Sequence, residues 1–246
     1  MSSLVLPRTH GLAVDHVALG VPDMPAALDQ IASDTGATPF ATDPEPEQWY
    51  WSGALALGPD SFFEILGPNP DFKGFHPIRT LISSYTKPHV LFWYVATGDF
   101  DGFTEQLKQA GASMERVETI DFIRDDIHTH YKRGVIGPGF VTQRPCVIEW
   151  RKKYEREDVD RRCQLKAFRL QHPNATKLNT LFGALGINQC VEEGPSWVGV
   201  ELSTPNGTVV YENAGEDFVG IGAMLRMAGL YLRWIGKRGR ASSLLW

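Results

Sequence analysis

Four residues stand out for their type and placement. His16 opens a strand in the run Asp15-His16-Val17-Ala18-Leu19-Gly20-Val21-Pro22-Asp23, and His89 opens another in Pro88-His89-Val90-Leu91-Phe92-Trp93-Tyr94-Val95. Each strand leads through an Asp-containing turn into a helical segment. Glu64 lies within Phe62-Phe63-Glu64-Ile65-Leu66 and Glu149 within Val147-Ile148-Glu149-Trp150, so each is a carboxylate in a strongly apolar strand. Imidazole serves both as metal ligand and as proton carrier near neutral pH. A carboxylate removed from water is costly unless a partner balances it. A lone strand histidine is more often inert. A His and a Glu in matching places of two units instead predict one shared polar site.

The elements that position these residues repeat. Residues 12–21 read as a strand and Met24 to Thr35 as a helix, with Asp23 as N-cap, Pro25 in the first turn and Gly36 as the stop. A short strand at Thr38 to Thr42 and strands at Tyr50 to Leu57 and Ser61 to Leu66 follow, which gives a β-α-β-β-β order. The order returns with a strand from His89 to Val95, a helix from Phe100 to Ala110, an extended stretch from Glu115 to Arg124 and a strand from Pro145 to Trp150; Asp125 to Arg144 is a long polar stretch. A third round runs from Gln164 to Tyr211, with a helix from Ala175 to Leu185 and a hairpin turn at Pro205-Asn206-Gly207. In that round Ala167 stands where His16 would fall, and Glu212 has no histidine to accompany it. The third unit is therefore read as structural. The predicted fold class is α+β, built of repeated βαβββ modules. Residues 12–150 form a pair, 164–213 a degenerate third module and 214–246 a helical tail.

Composition narrows the possible functions. Of 246 residues, 43% are hydrophobic and 22% charged, with a net charge of −5, which fits a globular protein and offers no basic field for nucleic acid. The three cysteines, Cys146, Cys163 and Cys190, lack metal-type spacing and are odd in number, so a reducing, cytoplasmic setting is expected. The first ten residues carry no apolar core of signal-peptide length. The tail from Phe218 to Trp246 is apolar but interrupted by Arg226, Arg233 and Lys237. It is expected to pack on its own domain or on a second subunit rather than to enter a membrane.

The order and joint spacing of Asp15-His16-Val17, Val21-Pro22-Asp23, the Phe63-Glu64-Ile65-Leu66 strand and the Pro145 to Trp150 strand resemble the vicinal oxygen chelate superfamily, in particular its glyoxalase-like domain group. The resemblance implies the glyoxalase/bleomycin resistance/dihydroxybiphenyl dioxygenase-like fold, in which two βαβββ modules form a cupped sheet around a divalent ion. Mapped onto this sequence, it implies a metal quartet of His16, Glu64, His89 and Glu149. The expected ion is Zn, Ni, Mn, Fe or Co, ligands of this kind being suited to each. Glu149 is the first candidate for general base and Glu64 the second. The implied activity is a metal-dependent lyase or isomerase moving a proton on a small oxygenated substrate, with a ligand-sequestering protein or an extradiol dioxygenase as alternatives. A homodimer is expected, the third module completing a second sheet with its partner. Trp51 and Trp93 are candidate pocket walls, or else core. His128 and His130, on one side of an extended segment, are candidate substrate contacts, or else part of a polar loop. Between Trp49 and Ala56 the sequence lacks the His- and Gly-rich character of the group it resembles, so no substrate is carried over.

Overall fold

A computed structural model describes residues 12–59, 61–124, 127–137, 143–153 and 158–213. The N-terminal arm and the tail from residue 214, with the helix expected there, lie outside the described residues. The described chain runs β1 (Val14–Gly20), α1 (Met24–Thr35), β2 (Phe40–Ala41), β3 (Tyr50–Ala56), β4 (Phe62–Pro68), α2 (Pro77–Ser83), β5 (His89–Ala96), α3 (Phe100–Gln109), β6 (Ser113–Arg124), β7 (Ile127–Gly137), β8 (Cys146–Lys152), β9 (Gln164–Gln171), α4 (Ala175–Ala184), β10 (Val191–Glu192), β11 (Trp197–Thr204) and β12 (Gly207–Glu212). The α+β class is as expected.

The helices begin and end where local chemistry dictates. The Asp23 carboxylate accepts from the Ala26 amide at 2.9 Å, and Gly36 closes α1 in the left-handed region at φ 68°. Asp99 caps α3 in the same way, accepting from Gly102 at 2.8 Å. One strand differs from expectation. β7 occupies the stretch read as long and polar, because polar side chains line both of its faces and leave no apolar alternation to read.

Eight strands form one sheet in the order β2-β3-β4-β1-β5-β8-β7-β6. β1 runs parallel to β4, β5 runs parallel to β8, and β1 meets β5 antiparallel at the centre. The two βαβββ halves are thus related by a local dyad between β1 and β5. The third round keeps the βαβββ chain order but forms its own sheet, β10-β9-β11-β12, in which the first strand lies inside and the last at the edge.

Alternation along the strands sorts the side chains between two faces. On the core face Val17, Leu19, Phe63, Ile65, Trp93, Val95 and Val147 pack with Ile31 of α1, Phe103 and Leu107 of α3, and Val198 and Val200 of the second sheet. Trp93 is fully buried, 4.8 Å from Phe168 and 6.0 Å from Phe182 between ring centroids. The small sheet thus packs through this face on its own chain. The hairpin tip helps to fix it: Asn206 donates through its side chain to Ser33 O at 2.8 Å. On the opposite face α2 covers one end, with Ile82 buried against Leu66, Leu91 and Phe92. The other end of that face is open.

Replacing Trp93 by Ala removes the largest side chain between the two sheets. Urea denaturation is expected to show a loss of about 3–5 kcal/mol.

Candidate functional site

The local dyad identifies which positions correspond. The Val21 amide donates to Leu66 O at 2.9 Å and the Thr97 amide to Ile148 O at 2.8 Å, the same contact made once in each half. Superposing the halves on this contact brings the two N-caps Asp23 and Asp99 together. It makes Ala18, which pairs with Glu64, the counterpart of Tyr94, which pairs with Cys146. His16 then corresponds to Phe92, Glu64 to Cys146 and Ser52 to Arg133.

The first half carries a polar cluster on the open face. The β1–β5 register slips between Val14 and His16, leaving Asp15 as an extra residue in a bulge. In a regular strand Asp15 and His16 would point to opposite faces. Here the Asp15 Oδ1 lies 2.7 Å from His16 Nδ1. Asp15 also accepts from Trp150 Nε1 at 3.1 Å and faces Lys153 Nζ at 3.4 Å. Burial alone would raise the Asp15 carboxyl; the hydrogen bond and charge of His16, then Lys153 and Trp150, outweigh it and hold the group below its ordinary range. The His16 ring lies between Phe62 (centroids 4.5 Å, planes 12° apart) and Tyr94 (4.0 Å, 18°). Its Nε2 is 4.0 Å from Glu64 Oε2.

This cluster forms the wall of a cavity of about 840 Å³ that also receives Tyr50, Ser52, Phe62, Tyr131, Arg133 and Lys153. That volume lies in the upper part of the roughly 300–1,000 Å³ range of small-molecule sites. Burial pushes the Tyr94 phenol well up, so it remains a proton donor, and pushes the Cys146 thiol up to about 12. Burial would lower Arg133, but the Glu118 carboxylate bonded to it opposes that effect and the guanidinium stays charged.

The predicted quartet does not converge. His16 and Glu64 are brought together. His89 pairs with Gly20 while His16 pairs with Tyr94, five residues further along β5, a separation of roughly 15 Å at strand rise. His89 is buried against Tyr85 near the α2 end. Glu149 lies between Ile148 and Trp150, which belong to the cavity side, so it points to the other face of the sheet. There it accepts from the Phe100 amide at 3.2 Å, at the N-terminus of α3, and meets Arg151 at 3.4 Å. The same parity corrects the substrate contacts. Trp51 and Trp93 pack in the core. His128 and His130 flank Thr129, which lines the cavity, and pair instead with Asp121 at 2.6 Å and 3.9 Å.

A divalent ion needs its donors within about 2.0–2.2 Å of one point. Among the described residues no group of three or more His, Cys, Asp or Glu is placed to do this. The dyad shows why: opposite His16 and Glu64 stand Phe92 and the buried Cys146. The residues present do not fit the four-ligand ion that the resemblance implies. The sequence held a signal for this. His16 precedes its helix cap by seven residues, whereas His89 precedes Asp99 by ten, and the residue seven before Asp99 is Phe92. Asp15, Tyr94, Arg133 and Lys153 went unread, Asp15 because a bulge cannot be seen in the sequence and Arg133 because β7 was not recognised.

The model of the glyoxalase-like domain family matches residues 14–186. The chain belongs to that family, and so to the vicinal oxygen chelate superfamily that its motifs resemble. Among solved structures it is similar to a hypothetical protein from Staphylococcus aureus, with a TM-score of 0.54 at 10% identity over 82% of this chain and 85% of that one. It is also similar to a mutant of 4-hydroxymandelate synthase from Streptomyces coelicolor, with a TM-score of 0.50 at 13% identity over 83% of this chain and 63% of that one. At such identities the likeness extends to the fold alone. No curated protein matches the sequence. Among the described residues no helix is long and apolar enough to cross a membrane.

Two outcomes test the geometry. Because the folded Asp15 value lies below the ordinary 3.8, its contribution is present above that pH and is lost as pH falls through the folded value. The thermal-stability gap between the wild type and Asp15→Asn is therefore expected to be full at pH 7 and to close in acid. Glu149→Ala should cost about 1 kcal/mol through α3 and leave ligand uptake by the cavity unchanged, as read by calorimetry with any bound small molecule.

Proposed function

We propose that this chain is an enzyme of the isomerase or lyase type that moves a proton on a small oxygenated molecule held in the open cavity. The observation that carries this reading is the facing pair His16 Nε2 and Glu64 Oε2, 4.0 Å apart. That gap is too wide for a direct hydrogen bond and leaves a position about 3 Å from both groups for a reacting atom.

The residues divide the work. With Nδ1–H donated to Asp15, His16 presents the bare Nε2 to the cavity as a base. When Nε2 takes a proton, the Asp15 carboxylate is already in place to stabilise the imidazolium, as a buried acid orients a catalytic histidine elsewhere. The flanking faces of Phe62 and Tyr94 hold the ring plane and favour the cation through their quadrupoles. Glu64, 28% exposed, is the second proton-transfer group and serves the neighbouring atom of the substrate. General acid–base assistance of this kind is worth roughly 10²–10⁴ in rate. The base is thus His16, rather than Glu149, which lies on the far side of the sheet.

A second reading, a protein that holds a ligand without turning it over, is favoured by the aromatic lining of Tyr50, Phe62, Tyr94, Tyr131 and Trp150. One experiment separates the two. The protein is incubated in D₂O with a panel of 2-hydroxy acids, 2-oxo acids and hydroxyketones, and deuterium at the carbon beside the carbonyl is followed by NMR. The expected result is exchange with at least one member, lowered 10²–10⁴-fold in His16→Gln and in Glu64→Gln and unchanged in His89→Gln. Exchange that survives His16→Gln, or binding with no exchange across the panel, would sink the enzymatic reading.

A further inference from the structure

We infer that Arg133 is a fixed cation of this site, standing in for a divalent ion whose donors the described residues do not bring together. The inference rests on the reading that His16 and Glu64 face the reacting atoms. It adds a third group and a substrate feature: two adjacent oxygens, one of which becomes an oxyanion.

Position comes first. Arg133 lines the same cavity as His16, Glu64 and Tyr94, as do Lys153, which faces Asp15, and Arg161; its dyad counterpart in the first half is Ser52, so this charge has no match there. The bulge positions show the same asymmetry. The register slips a second time between Ala18 and Leu19, leaving Leu91 as the extra residue of β5. Leu91 is the counterpart of Asp15. One corner therefore reads Asp15, His16, Glu64 and the other Leu91, Phe92, Cys146. The second corner packs with Ile82 of α2 and Ile148. Its one candidate donor, the Cys146 thiol, is not placed to join His16 and Glu64 in a metal shell, and the charge lies on Arg133 instead.

The cation is also built in. Arg133 Nε and Nη2 donate to one oxygen of Glu118 at 3.0 and 2.9 Å. Glu118 reaches that register position just after an irregular step in β6, where the pairing shifts between Glu115 and Glu118 and Arg116 sits at φ 51°. A non-glycine residue in the left-handed region costs free energy, so the surrounding structure has to enforce it. Here the step sets Glu118 opposite Arg133. Held this way, the guanidinium plane is fixed and permanently charged, and its geometry suits two neighbouring oxygens at once.

The chemistry balances without an added reactant. The proton on carbon passes to His16 Nε2. The pair of the broken C–H bond forms the C=C of an enolate, the carbonyl π pair moves onto oxygen, and that oxyanion accepts from Arg133. Return of that proton to carbon from His16, directly or relayed through the Glu64 carboxylate, restores the carbonyl.

The test uses two probes on metal-stripped protein. The first is cobalt(II), followed by its visible absorption and by calorimetry: no His16-dependent binding is expected below millimolar concentrations. The second is oxalate, which presents two pairs of adjacent oxygens: binding without metal is expected, weakened tenfold or more in Arg133→Gln and only partly restored in Arg133→Lys, which keeps the charge without the fork. Tight cobalt binding that His16→Ala abolishes, oxalate binding only when metal is added, or oxalate affinity indifferent to Arg133→Gln each overturns the inference. The cobalt titration on the unmutated chain keeps the test decisive if Arg133→Gln does not fold. Neither probe reports turnover, so the deuterium exchange can fail or succeed independently of them.

Discussion

β1 and β5 lie antiparallel at the centre of the large sheet, and each carries one residue more than its partner can match. The remainder of the open face depends on that pairing. The extra residue of β1 turns Asp15 to the same side as His16, and their 2.7 Å contact fixes the imidazole. The pairing also stacks Tyr94 against the other side of that ring. A strand without the bulge would leave the carboxylate on the core face, unpartnered among aliphatic side chains, and such burial is strongly unfavourable.

The two halves share a backbone plan and have divided the work. One keeps the polar groups. The other has filled the matching positions with Leu91, Phe92 and Cys146 and covered them with α2. This explains why the face is open at one end only and why its chemistry is one-sided. The core face shows no such division. Both helices and the small sheet pack against it, and Glu149 serves the start of α3 there.

Much of the fold was legible because its signals are local. Asp23 and Gly36 mark both ends of α1, and apolar runs bounded by Gly-Pro mark β4. β7 was not legible, since a strand with Thr129, Tyr131 and Arg133 on one side and His128 and His130 on the other offers no apolar period. At the site, His16 and Glu64 could be read from their own strands. His89 and Glu149 match His16 and Glu64 in local phrase, and phrase carries no parity. A shift of one residue sends a side chain through the sheet, and a shift of three moves it along the strand by about 10 Å. Counting back from the helix cap would have found Phe92. The Asp15 bulge had no such marker, because an extra residue in a strand follows from how two strands meet rather than from either sequence.

The stacking of His16 between Phe62 and Tyr94 has a spectroscopic consequence. Both neighbouring rings lie nearly parallel to the imidazole, at 4.5 and 4.0 Å, so its carbon-bound protons sit within two shielding ring currents at once. Their resonances move upfield of those of a half-buried imidazole such as His172, whose environment holds no such pair of rings among the described contacts. The residue proposed to carry the proton thus also reports on the cavity: anything that enters and tilts Tyr94 or Phe62 alters the shielding before any bond is made or broken.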